Sequence, residues 1–94
     1  MADTCQLTGI RFRRAPERLA ATGLLAFVDC DHGLITLRGI ELRRTRDGET
    51  TISFAPARAI HNRWSCWARP ISDPARRAMQ REIVAAAVRE GWIK

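Results

Sequence analysis

The chain has 94 residues, 46% of them hydrophobic, and a net charge of +6. This composition is that of a globular protein and excludes a disordered segment, and the length suits one domain, expected over residues 7–94 behind a loose stretch, 1–6. The longest apolar stretch, residues 24–28, is far too short to span a bilayer, so no membrane partner is expected. Three cysteines without the spacing of a disulfide framework indicate reduced thiols and predict a cytoplasmic protein.

Arginine carries nearly all of the positive charge, because Lys94 is the only lysine. The planar guanidinium group binds phosphate bidentately and stacks on flat rings, so a basic domain rich in arginine is a candidate for nucleic-acid binding. A modest positive charge also serves solubility, and an arginine bias also follows from genome composition. Charge alone leaves both interpretations open.

The first two strands are predicted from their apolar patterns. In TGIRFRR, Ile10 and Phe12 alternate with arginines, which is typical of a half-buried strand. The run GLLAFVDC is nearly all apolar and predicts a central strand that is covered on both faces. The residues that follow, Asp31-His32-Gly33, have the chemistry of a turn.

A third and a fourth strand are predicted next. In LITLRGIELRR the apolar positions change phase at Gly39, which predicts a β-bulge. Asp47-Gly48 predicts the centre of a hairpin turn. The returning segment TTISFAP is expected to point Ile52 and Phe54 inward, and its proline ends the strand.

The C-terminal segment predicts one amphipathic helix. Asp73 is a good N-cap, Pro74 suits the first helical position, and Gly91 is a stop signal after residues 75–90. Apolar residues cover a broad arc and arginines lie mostly on the other side: Met79, Ile83, Val84, Ala87 and Val88 against Arg77, Arg81 and Arg89. Strands first and a helix last predict an α+β fold, an antiparallel β-sheet of four to five strands with a C-terminal α-helix.

Five segments with recognisable strand, turn and helix signals follow one another over about residues 7–90. They are, in order, LTGIRFRRA, GLLAFVDCDHGLITLRGIEL, Asp47-Gly48, ISFAPAR and RPISDPARRAMQREIVAAAV. In order and spacing they resemble the SpoVG family, small bacterial proteins named for roles in sporulation and septation. The resemblance implies a homodimer built by strand pairing, and a regulator that binds DNA or RNA without known catalysis. Two positions depart from the family's pattern: Ala59 follows Arg58 where adjacent basic residues are usual, and Arg69 stands where histidine is common.

A basic segment before the helix is the first candidate site. It contains Arg58, His61, Arg63 and Arg69, and Arg76 and Arg77 follow in the first turn of the helix. A helix N-terminus favours anions, so these residues are interpreted as phosphate ligands or, alternatively, as an ordinary solvated face. A second basic group, Arg11, Arg13 and Arg14 with Arg43-Arg44, either lines a groove or protects strand edges from aggregation. The residues predicted to bind nucleic acid are Arg58, Arg63, Arg76 and Arg77, with Arg13 and Arg43 behind them.

The tryptophans are interpreted first as core or dimer-interface residues. A fifth short strand is predicted over residues 64–68, and it places Trp64 and Trp67 on opposite faces. Trp92 is expected to fold back onto the edge of the core. In the alternative function, the protein is an interaction module that binds an acidic protein partner in cell division without nucleic acid. Exposed Trp64 and Trp67 would then act as aromatic hot spots.

Catalytic and metal-binding interpretations have little support. Cys30-Asp31-His32 supplies one cysteine and one histidine, which falls short of a closed zinc site. Cys66 with His61 lacks a recognisable orienting acid or oxyanion loop. We therefore predict no enzyme activity, no metal, no cofactor and no small-molecule substrate. The expected partners are a second copy of the chain and DNA or RNA.

Overall fold

In the part of the chain that the structure describes, four antiparallel strands and a C-terminal helix form the fold, which confirms the α+β prediction. The structure is a computed structural model that describes residues 6–54 and 69–94. The strands lie in sequence order in one sheet: β1 (Thr8–Arg14), β2 (Leu24–His32), β3 (Ile35–Arg44) and β4 (Thr50–Phe54). A four-residue helix, α1 (Glu17–Ala20), joins β1 to β2, and the long helix is α2 (Asp73–Arg89). The predicted fifth strand at residues 64–68 lies outside the described residues.

Strand β2 is central, as predicted, but only one of its faces is fully buried. Leu24, Ala26, Val28 and Cys30 are at most 1% exposed on the face that α2 covers. On the other face Phe27 is only half-buried. The second face of β2 is therefore covered only in part among the described residues.

A β-bulge lies at Gly39, as the change of phase predicts. Val28 faces Ile40 while Cys30 faces Leu37, so two residues of β3 stand opposite Asp29 alone. Gly39 has a φ of 77°, a left-handed conformation that a side chain disfavours. The bulge turns the Gly39 N–H toward Asp29, and Oδ1 of Asp29 accepts it at 2.9 Å. The bulge thus creates a binding place for a buried carboxylate.

Both hairpin turns are shifted from their predicted positions. His32 pairs with Ile35, so the first turn is Gly33–Leu34, and Asp31 and His32 belong to the strand. The Asp31 carboxylate accepts a hydrogen bond from the Thr36 hydroxyl on the neighbouring strand, at 2.9 Å. In the second hairpin the Gly48 N–H donates to the Thr45 carbonyl at 2.9 Å. Its central residues are therefore Arg46 and Asp47, not Asp47 and Gly48.

Helix α2 begins one residue earlier than predicted. The N-cap is Ser72, whose Oγ accepts the Ala75 N–H at 3.2 Å, and Asp73 is already helical. Serine and aspartate are both good N-cap residues, so the sequence did not distinguish them. From the first turn, the negative charge of Asp73 still interacts favourably with the positive end of the helix dipole. The predicted stop is confirmed, because the Trp92 N–H donates to the Ala87 carbonyl at 2.9 Å around Gly91.

Helix α2 packs across one face of the sheet and closes the core. Its buried residues are Ala78, Met79, Ile83, Ala86 and Ala87. Met79, Ile83 and Ala87 share one core cluster with Val28, Cys30, Ile40, Leu42 and Ile52 from the strands. Val88 is 47% exposed and lies outside the apolar arc that the sequence predicts. Trp92 contacts Phe12 with 5.7 Å between ring centroids, so its predicted position at the core edge is confirmed. Among the described residues, no helix is long and apolar enough to cross a membrane.

The same helix also binds the backbone at both edges of the sheet. Oε1 of Glu82 accepts the Leu7 N–H at 2.8 Å, just before β1. Oε1 of Gln80 accepts the Ile52 N–H at 3.2 Å, in β4. A strand-edge N–H is a site at which another strand adds. Gln80 therefore occupies one edge N–H of β4, and the two contacts together fix the helix across the sheet.

Candidate nucleic-acid interface

Arg13, one of the predicted phosphate ligands, is bound to a buried carboxylate. Its Nε and Nη2 donate to the two oxygens of Asp29 at 3.2 Å and 3.1 Å, and its guanidinium carbon lies 5.4 Å from the centre of the Phe27 ring. Burial by itself would raise the pKa of Asp29. The hydrogen bonds from Arg13 and Gly39 and the charges of Arg13 and Arg38 outweigh it and hold the pKa below the ordinary value. Asp29 is therefore ionised at neutral pH and compensates the charge of Arg13.

Two further arginines of the sheet, Arg43 and Arg11, also have acidic partners. Nε of Arg43 donates to Oε1 of Glu41 at 2.7 Å. Nη1 of Arg11 lies 3.5 Å from Oδ2 of Asp31. Arg13 and Arg43 are thus brought onto one sheet, but a phosphate would have to compete with a carboxylate at each. Their role as phosphate ligands stays a prediction.

The outward side of α2 carries arginines that have no such compensation. Arg77 and Arg81 are exposed, lie one helical turn apart, and form no ion pair with any residue in the described part of the chain. Like charges at this spacing cost a helix roughly 0.2–0.5 kcal/mol. A bound anion would remove that repulsion. Arg81 was not among the predicted ligands, although its i,i+4 spacing from Arg77 was visible in the sequence.

Arg76, in the first turn of α2, points in a different direction from Arg77. It is half-buried against β4, where its Nη1 donates to Oε1 of Gln80 at 3.1 Å and to Oγ1 of Thr51 at 3.4 Å. Both acceptors are neutral, and no described carboxylate forms an ion pair with Arg76. The positive charge is therefore held in place without being neutralised.

A pocket of about 580 Å³ opens beside Arg76, at the N-terminus of α2. It is lined by Arg69, Pro70, Ile71, Ser72, Asp73 and Arg76. Two of the basic residues singled out in the sequence, Arg69 and Arg76, thus line the same pocket, with Asp73 as the only acidic lining residue among those described. The predicted ligands Arg58 and Arg63, together with His61, Trp64 and Trp67, lie outside the described residues.

The suspected catalytic cluster does not come together. The Cys30 side chain is fully buried in the core under α2. Its neighbour Asp31 binds Thr36 and Arg11, and these contacts lower the pKa of its carboxyl group. Within the described residues, no group of three or more His, Cys, Asp or Glu side chains is placed to hold a metal ion.

No family model matches the chain, and neither the curated proteins nor the solved structures give a significant match. The fold and the arginine arrangement therefore rest on the sequence and structure alone, and the resemblance to the SpoVG family stays an expectation.

Proposed function

We propose that this protein is a small homodimeric regulator of the SpoVG type that binds DNA or RNA, mainly through contacts between arginine and phosphate. The observation that carries the proposal is the contrast between two sets of arginines. Arg11, Arg13 and Arg43 on the sheet have carboxylate partners, whereas Arg76, Arg77 and Arg81 on α2 have none among the described residues. Uncompensated guanidinium groups on one rigid element favour a polyanionic ligand.

The arrangement favours contacts to the phosphate backbone over contacts to base edges. Successive turns of a helix are about 5.4 Å apart, so Arg77 and Arg81 can follow a charged strand side by side. The short side chains of Ala85 and the half-exposed Val88 continue the same side of α2 and offer no hydrogen bonds to bases. We therefore expect weak sequence preference and strong dependence on salt.

The homodimer in this proposal rests on the family resemblance and on size. A chain of 94 residues buries a limited core, and a second copy would extend it. The proposal includes no catalytic step, cofactor or metal.

A salt titration tests the proposal. The affinities of wild-type protein and of R77Q/R81Q for labelled duplex DNA, single-stranded DNA and RNA are measured by fluorescence anisotropy at several salt concentrations. Loss of two phosphate contacts is expected to make the slope of log K against log salt shallower by about 1.8 on duplex DNA. The matched control, R18Q/R46Q, removes two exposed arginines outside α2. Equal slopes for the two double variants would refute the assignment to α2.

A second candidate function is the interaction module that binds an acidic protein partner. One observation favours it: at the tip of the first hairpin, Leu34 is fully exposed and Ile35 is 61% exposed. Exposed apolar residues next to one another are typical of protein contact sites. Failure of the folded wild-type protein to bind any nucleic acid at low salt would favour this candidate.

A further inference from the structure

We propose that Gln80, together with Thr51, is a positioning residue that holds Arg76 ready to contact phosphate. This inference rests on the proposed function for its ligand, and on contacts within the chain for its geometry. Three donors converge on Oε1 of Gln80: the Thr51 hydroxyl at 2.9 Å, Nη1 of Arg76 at 3.1 Å and the Ile52 N–H at 3.2 Å. Gln80 therefore ties the first turns of α2 to the edge strand β4 through one oxygen atom.

The neutral charge of Gln80 is the important property. Arg13 and Arg43 are also held in place, but by Asp29 and Glu41, which cancel their charge. An amide oxygen restrains a guanidinium group by hydrogen bonding and leaves its full positive charge for a ligand. Restraint before binding also reduces the rotamer freedom that a long side chain loses when it contacts its partner.

Two nitrogen donors of Arg76, Nε and Nη2, form no hydrogen bond among the described residues. Among the described residues, hydrogen bonds involve only its Nη1 atom, so Nε and Nη2 keep the fork that binds phosphate bidentately. Arg76 also lines the pocket that Arg69 shares. Thr51 and Gln80 thus hold the Arg76 guanidinium group in one orientation at the N-terminal end of α2, which borders the proposed interface.

Replacing Gln80 by Glu tests this role with little change in shape. Gln80→Glu keeps an oxygen acceptor for Thr51 and Ile52, but it adds a negative charge in contact with Arg76. We expect the affinity for duplex DNA to fall roughly five- to tenfold at about 0.1 M salt, and the salt slope to become shallower by about 0.9, as for the loss of one phosphate contact. The matched control is Gln6→Glu, the same chemical change at an exposed glutamine.

A double variant shows whether Gln80 acts through Arg76. R76A/Q80E and R76A/Q6E carry the same added negative charge. Since the residue at position 80 has no arginine to hold in either protein, the two are expected to bind duplex DNA with equal affinity, and each slightly more weakly than R76A. If Q80E binds as tightly as Q6E while the wild-type protein binds nucleic acid, the positioning role is refuted and the proposed function stands.

A measurement without nucleic acid separates the two ideas. The mobility of the Arg76 Nε–H group is measured by nitrogen-15 NMR in wild-type protein and in Gln80→Met, which removes the acceptor. We expect Arg76 to be ordered in wild-type protein, in contrast to exposed Arg77, and to become mobile in the variant. Ordered Arg76 in a protein that binds no nucleic acid would support the restraint of Arg76 by Gln80 and contradict the proposed function. Arg76 as mobile as Arg77 in wild-type protein would refute the positioning role.

Discussion

The buried carboxylate of Asp29 offers the sharpest test of the fold. It accepts two hydrogen bonds from Arg13 and one from the Gly39 N–H, and its side chain is only 10% exposed. Asp29→Ala leaves the Gly39 N–H without its partner and separates Arg13 from its counter-charge. Breaking a buried ion pair costs about 3–5 kcal/mol, but the Arg13 side chain is 51% exposed and water can hydrate it. We therefore expect a loss of about 2–3 kcal/mol in the free energy of unfolding.

Thermal and urea unfolding at equal protein concentration measure this loss. For a domain of this size, 1 kcal/mol lowers the Tm by about 4–8 °C, so Asp29→Ala is expected to lower it by roughly 10–20 °C. Asp29→Asn retains one acceptor oxygen and is expected to cost about half as much. A Tm for Asp29→Ala within about 2 °C of wild type would refute the account of the bulge and its carboxylate.

The same pair gives a prediction about pH. The pKa of Asp29 is lower in the folded protein than its ordinary value of 3.8. The stabilisation is therefore fully present above the unfolded pKa and is lost as the pH falls through the folded pKa. The difference in stability between wild type and Asp29→Asn should be constant near neutral pH and shrink below about pH 4. A difference that stayed unchanged at low pH would contradict an ionised Asp29.

Two further predictions concern local structure and are measured as changes in unfolding free energy. Ser72→Ala is expected to cost about 1 kcal/mol, and Asp73→Ala less, because Ser72 is the N-cap. A larger loss for Asp73→Ala than for Ser72→Ala would instead indicate that Asp73 is the N-cap, as the sequence predicts. Gly23→Ala is expected to destabilise the protein more than Gly39→Ala. Both glycines have positive φ, but a Cβ at Gly23 would lie 2.6 Å from the Arg44 carbonyl oxygen, whereas one at Gly39 meets nothing within 4 Å. Equal losses at the two glycines would contradict the close approach of the chain at Gly23.

The sequence predicted the elements of the fold where a periodic pattern was long enough. The alternation of Ile10 and Phe12 with arginines gives β1, and the change of phase gives the bulge at Gly39. Helix α1 has only four residues, too few for a helical period, and it was missed. The turns and the start of α2 lie a residue or two from their predicted positions. Ser72 and Asp73 suit the N-cap equally well, and Asp47 and its neighbours suit the centre of a turn equally well, so local sequence does not choose between them.

The candidate site was predicted only in part, because a sequence shows charges but not their partners. Arg13 and Arg76 are equivalent as cations along the chain. Strand pairing brings Asp29 to the first, whereas helix packing brings neutral Gln80 and Thr51 to the second. The residue types of Gln80 and Thr51 gave no local signal, since 29 positions separate them and only the closed core makes them neighbours.

Composition and pattern by themselves therefore determined a basic α+β domain with a C-terminal helix. Those properties follow from local periodicity and net charge, and both depend on residue types and their order along the chain, not on which residues come into contact. Tertiary structure decided which arginines have a carboxylate partner among the described residues and which have none. That distinction depends on distances between side chains remote in sequence, and electrostatic interactions weaken with distance in space, not with separation along the chain.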